Sequence, residues 1–243
     1  MGTINFPGKV SLALLLDPDK INDDELGNIL GIAERCRVDF IMTGGSITFR
    51  SIDNLINSIR KLCHIPVVLF PGNLLQLSRE ADKILLLSLI SGRNPELLIG
   101  NHVIAAPFLK SQREKLVSAG YILIGGGSKT SVEYISQTEA IPFDKPDIAV
   151  ATAMAGEMLG LSMIYLEAGS GAINPVPLSL IRAVKENISV PLAVGGGIRN
   201  SRDIMDIYKS GADLIVLGNG CEKDPHLLAE ACSARDKVRK LSE

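Results

Sequence analysis

Short aliphatic runs recur along the chain at Val10–Leu16, Phe40–Met42, Val67–Phe70, Ile84–Leu87, Tyr121–Ile124, Met163–Leu166, Leu192–Val194 and Leu214–Leu217. Such near-continuous apolar runs suit parallel strands buried on both faces. Amphipathic stretches lie between them. Asn22-Asp23-Asp24-Glu25 offers a capping side chain and then acids in the first turn, ahead of Leu26, Ile29, Leu30 and Ala33. Pro177 opens a helix carrying Leu180, Ile181 and Val184, and Ser201-Arg202-Asp203 opens one carrying Ile204, Ile207 and Tyr208, with Gly211 closing it. Alternating strands and helices imply parallel βαβ units, and eight strand runs are what an α/β fold of the (β/α)₈ TIM-barrel type needs. One unit is irregular. Between Pro66 and Gly100 the Pro and Gly breaks leave little room for a full helix, so PGNLLQLSREADK predicts only a turn or short helix after the third strand.

The chain has 243 residues, close to the roughly 250 of one such barrel. It contains no Pro/Gly/Ser-rich linker, low-complexity segment or fixed-period repeat, so residues 1–243 read as a single domain. Hydrophobic residues are 46% and charged residues 21%, the mix of a packed domain and not of a disordered one. A net charge of −2 provides no general attraction to nucleic acid or anionic membrane. An anionic ligand must then be held by backbone dipoles, a metal ion or a few placed cations. Cys36, Cys63, Cys221 and Cys232 have no CxxC spacing, and His64, His102 and His226 do not cluster with them. This argues against a thiolate or imidazole metal site and for reduced, mostly buried thiols. The start, MGTINFPGKV, lacks a signal-peptide pattern, and the longest apolar run, Ile84–Ile90, is far shorter than the ~20 residues of a membrane span. A cytoplasmic protein with no membrane segment is expected.

The clearest chemical signal is at the C-terminal end. PLAVGGGIRNSRDI runs from a strand through Gly195-Gly196-Gly197 into a helix, and GADLIVLGNG repeats the logic with Gly218-Asn219 one unit later. Glycines let backbone N–H groups turn toward an anion, and the loops after the last two barrel strands frequently form a phosphate site. Tight βα turns alone would also use glycine, but two in consecutive units favour phosphate. In MIYLEAGSGAINPV, Tyr165 and Glu167 stand at the mouth end of the sixth strand run, followed by Gly169-Ser170-Gly171. Glu167 could accept a hydroxyl proton there, or form an ion pair; Tyr165 could orient a ligand, turn its ring to a developing cation, or pack in the core. Asp17 ends the first strand in LALLLDPDK, and Thr43-Gly44-Gly45-Ser46 ends the second. A carboxylate and a hydroxyl on adjacent strand ends suit a Mg²⁺ shared with substrate phosphates; helix capping by Asp17 or Ser46 is the alternative. GGGSKTS at 125–131 lacks the Walker spacing, which argues against a Walker-type nucleotide site; Lys129 could still meet a phosphate, or be a solvated lysine. The stretch Ile84–Ile90, with Leu97, Leu98, Ile99, Phe108 and Leu109, is core or the lining of an apolar groove.

Taken in order, LLLDPDK, TGGS, VLFPGN, YLEAGSGA, VGGGIRN and IVLGN resemble the geranylgeranylglyceryl phosphate synthase or PcrB-like prenyltransferase family, in its second group, from about residue 10 to 220. The resemblance implies transfer of a polyprenyl chain, most simply geranylgeranyl, from its diphosphate to the 3-hydroxyl of sn-glycerol 1-phosphate, an ether-bond step of phospholipid synthesis. By motif position it implies Mg²⁺ on Asp17 and Ser46. Glycerol phosphate would lie on Tyr165, Leu166, Glu167, Ala168, Gly169, Ser170, Gly171, Gly196, Gly197, Gly218 and Asn219, with Glu167 and Tyr165 as the catalytic pair. It further implies homo-oligomers and a barrel without a regular helix after its third strand. Competing readings are a sugar-phosphate isomerase or lyase on the same barrel, and a non-catalytic phosphate binder. The isomerase or lyase would need paired acid/base residues or a strand-end lysine, and only Asp17 and Glu167 stand out as mouth carboxylates.

Overall fold

The computed structural model describes residues 6–125, 130–218, 220–221 and 224–242. Strands β1 (Ser11–Leu16), β2 (Phe40–Thr43), β3 (Val67–Leu69), β4 (Lys83–Leu89), β5 (Leu116–Gly125), β7 (Met163–Glu167), β8 (Leu192–Gly195) and β9 (Leu214–Leu217) form a closed ring of parallel strands. The ring shuts through β1 on β9, with Ala13 opposite Val216, and through β4 on β5, with Ile84 opposite Leu116. A two-residue β6 (Ile141–Pro142) adds outside the ring on β5. The architecture is the expected TIM barrel.

Side-chain alternation sorts the strands into two cores. Ala13, Met42, Val68, Leu85, Ala119, Met163, Ala193 and Leu214 fill the barrel, and Phe6 meets Phe40 edge-on at 4.8 Å across its lower end. Leu12, Leu14, Ile41, Val67, Ile164, Val194 and Ile215 point outward and pack under the helices. These helices are α1 (Asp23–Arg35), α2 (Ile52–Leu62), α3 (Asn101–Leu109), α4 (Ser131–Ser136), α5 (Pro146–Met158), α6 (Leu178–Lys185), α7 (Ser201–Lys209) and a final helix, His226–Ser242.

The helix signals act as expected. Asn22 and Glu25 form a reciprocal capping box on α1, burying Leu26, Ile29, Leu30 and Ala33. Pro177 precedes α6, and α7 ends before Gly211 at φ +107°. The cap of α7 is Asn200, which accepts from the Asp203 N–H at 2.9 Å. After β3 only a 3₁₀ turn, Leu74–Gln76, is present, as PGNLLQLSREADK predicts. The chain after β4 runs through a π-turn, Glu96–Gly100, directly into α3. Because β3 has three residues against seven in β4, the outer half of β4 (Leu86–Leu89) extends past its neighbour. The His102 imidazole contacts the Leu87 carbonyl there at 2.9 Å. The barrel wall is therefore open along this stretch.

Below the barrel, the buried Arg235 of the final helix donates to the carbonyls of Cys36 and Arg37 and pairs with Asp39 at 3.0 Å. Asp39 in turn accepts from the Leu12 N–H. The last helix is thus tied to the start of the barrel, away from its mouth. Among the described residues, no helix is long and apolar enough to cross a membrane.

Candidate active site

A cavity of about 1170 Å³ opens at the C-terminal ends of the strands. Two walls of it differ in chemistry.

One wall is built from β7, β8 and β9. Tyr165 and Glu167 occupy inward positions of β7, two residues apart, and both are almost fully buried. The Glu167 carboxylate accepts from the Gly169 N–H at 2.7 Å and from the Tyr165 hydroxyl. Burial raises its pKa above the usual carboxylate range, and these two hydrogen bonds offset part of the rise. Among the described residues no cation pairs with it. Burial, with the neighbouring Glu167 charge, also drives the Tyr165 phenol well up, so it stays a hydrogen-bond donor.

The glycines beside this pair are required by close approach. A Cβ on Gly195 would overlap the Tyr165 hydroxyl and lie 3.0 Å from Glu167 Oε2. At Gly196, with φ +83°, it would overlap Glu167 Oε1 and lie 2.7 Å from the Gly169 nitrogen. Gly218 differs, because its nearest neighbour would be Leu15 at 3.8 Å, an ordinary contact. Among the described residues nothing demands glycine there, and Gly218 lines the cavity.

The opposite wall carries Asp17 and Ser46. Asp17 lies over Gly45, where a Cβ would be 2.9 Å from its Oδ2, and its carboxylate pairs with Lys20 at 3.0 Å. The caps of the following helices are Asn22 and Ser51, so neither Asp17 nor Ser46 serves as one. Between the walls stand three rings. Tyr121 stacks on Tyr165 with centroids 5.3 Å apart, and Phe70 meets both edge-on at 5.7 and 5.6 Å. From there the cavity runs to the open flank of the barrel, between Leu74, Leu86, Leu97, Ala105 and Ile135.

Of the sequence-predicted residues, Tyr165, Glu167, Gly169, Ser170, Gly171, Gly196, Gly197, Gly218, Asp17 and Ser46 all line this one cavity. Leu166 and Ala168 do not; they pack in the outer core and contribute backbone alone, the Ala168 N–H donating to the Gly195 carbonyl at 3.0 Å. Asn219 and Lys129 lie outside the described residues. In the anticipated groove segment Leu97 lines the cavity, whereas Ile99 is exposed and Phe108 sits beneath Arg79. Sequence reasoning missed Phe70, Tyr121 and Arg199 in the lining. The alternation Ala119, Tyr121, Leu123 was the available signal for the second.

Residues 9–235 match the PcrB family. The chain belongs to the PcrB family. A geranylgeranylglyceryl phosphate synthase of Chitinophaga pinensis is 48% identical over 228 residues, 93% of this chain and 90% of the relative. One from Pyrococcus horikoshii is 40% identical over 212 residues, covering 86% and 83%. The solved (S)-3-O-geranylgeranylglyceryl phosphate synthase of Thermoplasma acidophilum superposes with a TM-score of 0.88 at 30% identity, over 96% of this chain and 95% of that one. That crystal structure is a complex with substrate sn-glycerol-1-phosphate. Prenyltransferases of the PcrB family therefore share both this chain's sequence and its barrel.

Proposed function

We propose that the chain transfers a polyprenyl group, most simply geranylgeranyl, from its diphosphate to the 3-hydroxyl of sn-glycerol 1-phosphate. The observation that carries this reading is one cavity with a glycine cup beside a buried carboxylate, an oxygen-donor pair opposite, and an apolar exit at the flank. A Schiff-base lyase would need a lysine beside Glu167, and among the described residues lining the cavity the one lysine is Lys20, paired with Asp17 on the opposite wall.

The glycine turns at Gly169–Gly171 and Gly196–Gly197, with Gly218 and Asn219, hold the acceptor phosphate through backbone N–H groups. Tyr165 and Glu167 then face the glycerol hydroxyl. Its oxygen forms the bond to the first prenyl carbon as the carbon–diphosphate bond breaks, and its proton passes to Glu167. A carboxylate made more basic by burial is a better acceptor for that proton. The Phe70, Tyr121 and Tyr165 rings border the place where positive charge develops on the allylic carbon, and ring faces favour such charge. Holding both partners in one geometry lowers the entropic barrier.

Asp17 and Ser46 fit a Mg²⁺ site, since both are hard oxygen donors and the glycine beneath Asp17 leaves its carboxylate turned to the cavity. Bound there, the ion supplies positive charge against the departing diphosphate. The alkyl tail lies along the flank, each buried CH₂ contributing about 0.8 kcal/mol.

We further take residues 1–243 as one cytoplasmic domain that self-associates. Ile99, Val103 and Ile104, and Ile148 on α5, are exposed on outer helical faces, which supports a homo-oligomer. The test is incubation with sn-glycerol 1-phosphate, Mg²⁺ and prenyl diphosphates of graded length. An ether-linked prenylglyceryl phosphate is expected; no ether product with any donor would overturn the reading.

A further inference from the structure

A phosphate beside Glu167 raises a charge problem. Its cup is built from backbone, and among the described residues its wall carries the Glu167 carboxylate, made more basic by burial. Among the described residues lining the cavity the side chains able to carry positive charge are Lys20, His102 and Arg199. Lys20 pairs with Asp17 on the opposite wall, and His102 sits on the Leu87 carbonyl at the flank. Arg199 alone of the three stands at the cup.

Its position is built. Gly169–Ala172 is a tight turn closed by the Ala172 N–H on the Gly169 carbonyl at 3.1 Å, with Gly169 at φ +100° and Gly171 at φ +79°. The carbonyl at the end of that turn, on Ala172, accepts from Arg199 Nη2 at 3.1 Å. Gly197 allows the backbone of Asn174 and Pro175 to press against the Gly196–Gly197 segment, where a Cβ would overlap Asn174 O. Arg199 is thus a side-chain tie between the two glycine turns. Among the described residues no carboxylate pairs with it. A guanidinium has five N–H donors in a planar fork, and the Ala172 carbonyl uses one.

We propose that Arg199 is the counter-charge for the acceptor phosphate: one N–H locks the Gly169–Ala172 turn while the rest of the fork binds phosphate oxygens. Guanidinium geometry favours two parallel hydrogen bonds to such a group. This selects a phosphomonoester acceptor over the uncharged alcohol. The inference rests on the proposed acceptor and names the residue that recognises its charge.

Calorimetric titration of the whole chain with sn-glycerol 1-phosphate at several salt concentrations tests it, with glycerol as the uncharged control. Arg199→Ala is expected to weaken binding about ten- to a hundredfold, the range of a charge-assisted hydrogen bond. The salt dependence should flatten, because one ion pair is gone, and Arg199→Lys should restore part of the affinity. Thermal unfolding of each variant reports separately on the tie to Ala172. Wild-type binding with Arg199→Ala within twofold of it would overturn the inference and leave the proposed function standing. So would a weakened variant whose salt dependence parallels wild type, since that marks a turn-locking role alone. A wild-type chain that binds no glycerol phosphate would overturn both.

Discussion

Gly196→Ala and Gly218→Ala should separate a glycine the fold requires from one the ligand requires. At Gly196 the backbone is left-handed, φ +83°, which costs an alanine roughly 1–2 kcal/mol. Its methyl would also overlap Glu167 Oε1 and sit 2.7 Å from the Gly169 nitrogen. Overpacking of this kind costs roughly 1–3 kcal/mol, giving a total of roughly 2–5 kcal/mol. For a chain of this size each kcal/mol moves the midpoint by roughly 2–4 °C, so Tm should fall by roughly 4–20 °C. At Gly218 the methyl meets, among the described residues, only Leu15, at 3.8 Å, and stability should change by less than about 0.5 kcal/mol. Yet Gly218 lines the cavity, and on the proposed reading the added methyl would crowd the phosphate there. Differential scanning calorimetry gives the first quantity and titration with sn-glycerol 1-phosphate the second. Gly218→Ala should melt with wild type and bind at least tenfold more weakly. A Gly196→Ala protein melting within 2 °C of wild type would refute the steric argument. Undiminished binding by Gly218→Ala would remove that turn from the phosphate cup.

Asp17→Ala should abolish Mg²⁺-dependent product formation while glycerol phosphate still binds in a titration; unchanged turnover would remove Asp17 from the metal site. Glu167→Gln should lower kcat much more than it raises the Kd for glycerol phosphate, and equal turnover would exclude Glu167 as the base. The same variant tests linkage: an acid whose folded pKa is raised stabilises the fold below its unfolded pKa and loses that contribution as pH rises through the folded value. Glu167→Gln should therefore gain on wild type in Tm as pH rises above about 4, the usual glutamate value, and the gap should level off once the folded value is passed; a gap that is constant with pH would contradict the burial argument. Tyr165→Phe removes a hydrogen bond that lowers the Glu167 pKa, so the acid limb of the kcat/KM profile should move to higher pH; a limb that stays in place would mean the phenol does not touch the base.

The barrel was legible because its strand runs are buried on both faces and so carry an unbroken apolar pattern. The gap after β3 was legible for the opposite reason: Pro71, Gly72 and the short segments around them interrupt any helical period. Asp17, Ser46, Glu167 and the glycines stand out because strand ends in this fold point at one mouth. Sequence could not separate Gly196 from Gly218, since the difference is which atom lies across a turn of chain. Arg199 was hidden in the same way. It reads as an ordinary polar residue before a helix, and its meaning comes from the Ala172 carbonyl, 27 residues away. Tyr121 and Phe70 looked like core because a ring at a strand end has the same pattern whether it meets neighbours or a ligand.

The break in the wall beside β4 also bears on the order of events. The small polar partner can come down the barrel axis to the glycine turns, whereas the long greasy one can slide in sideways between the 3₁₀ turn and α3. Initial-rate patterns should then be those of random addition, with each substrate binding whether or not the other is already seated. A product bearing both parts can leave tail first through the flank while the axial entrance is free to refill.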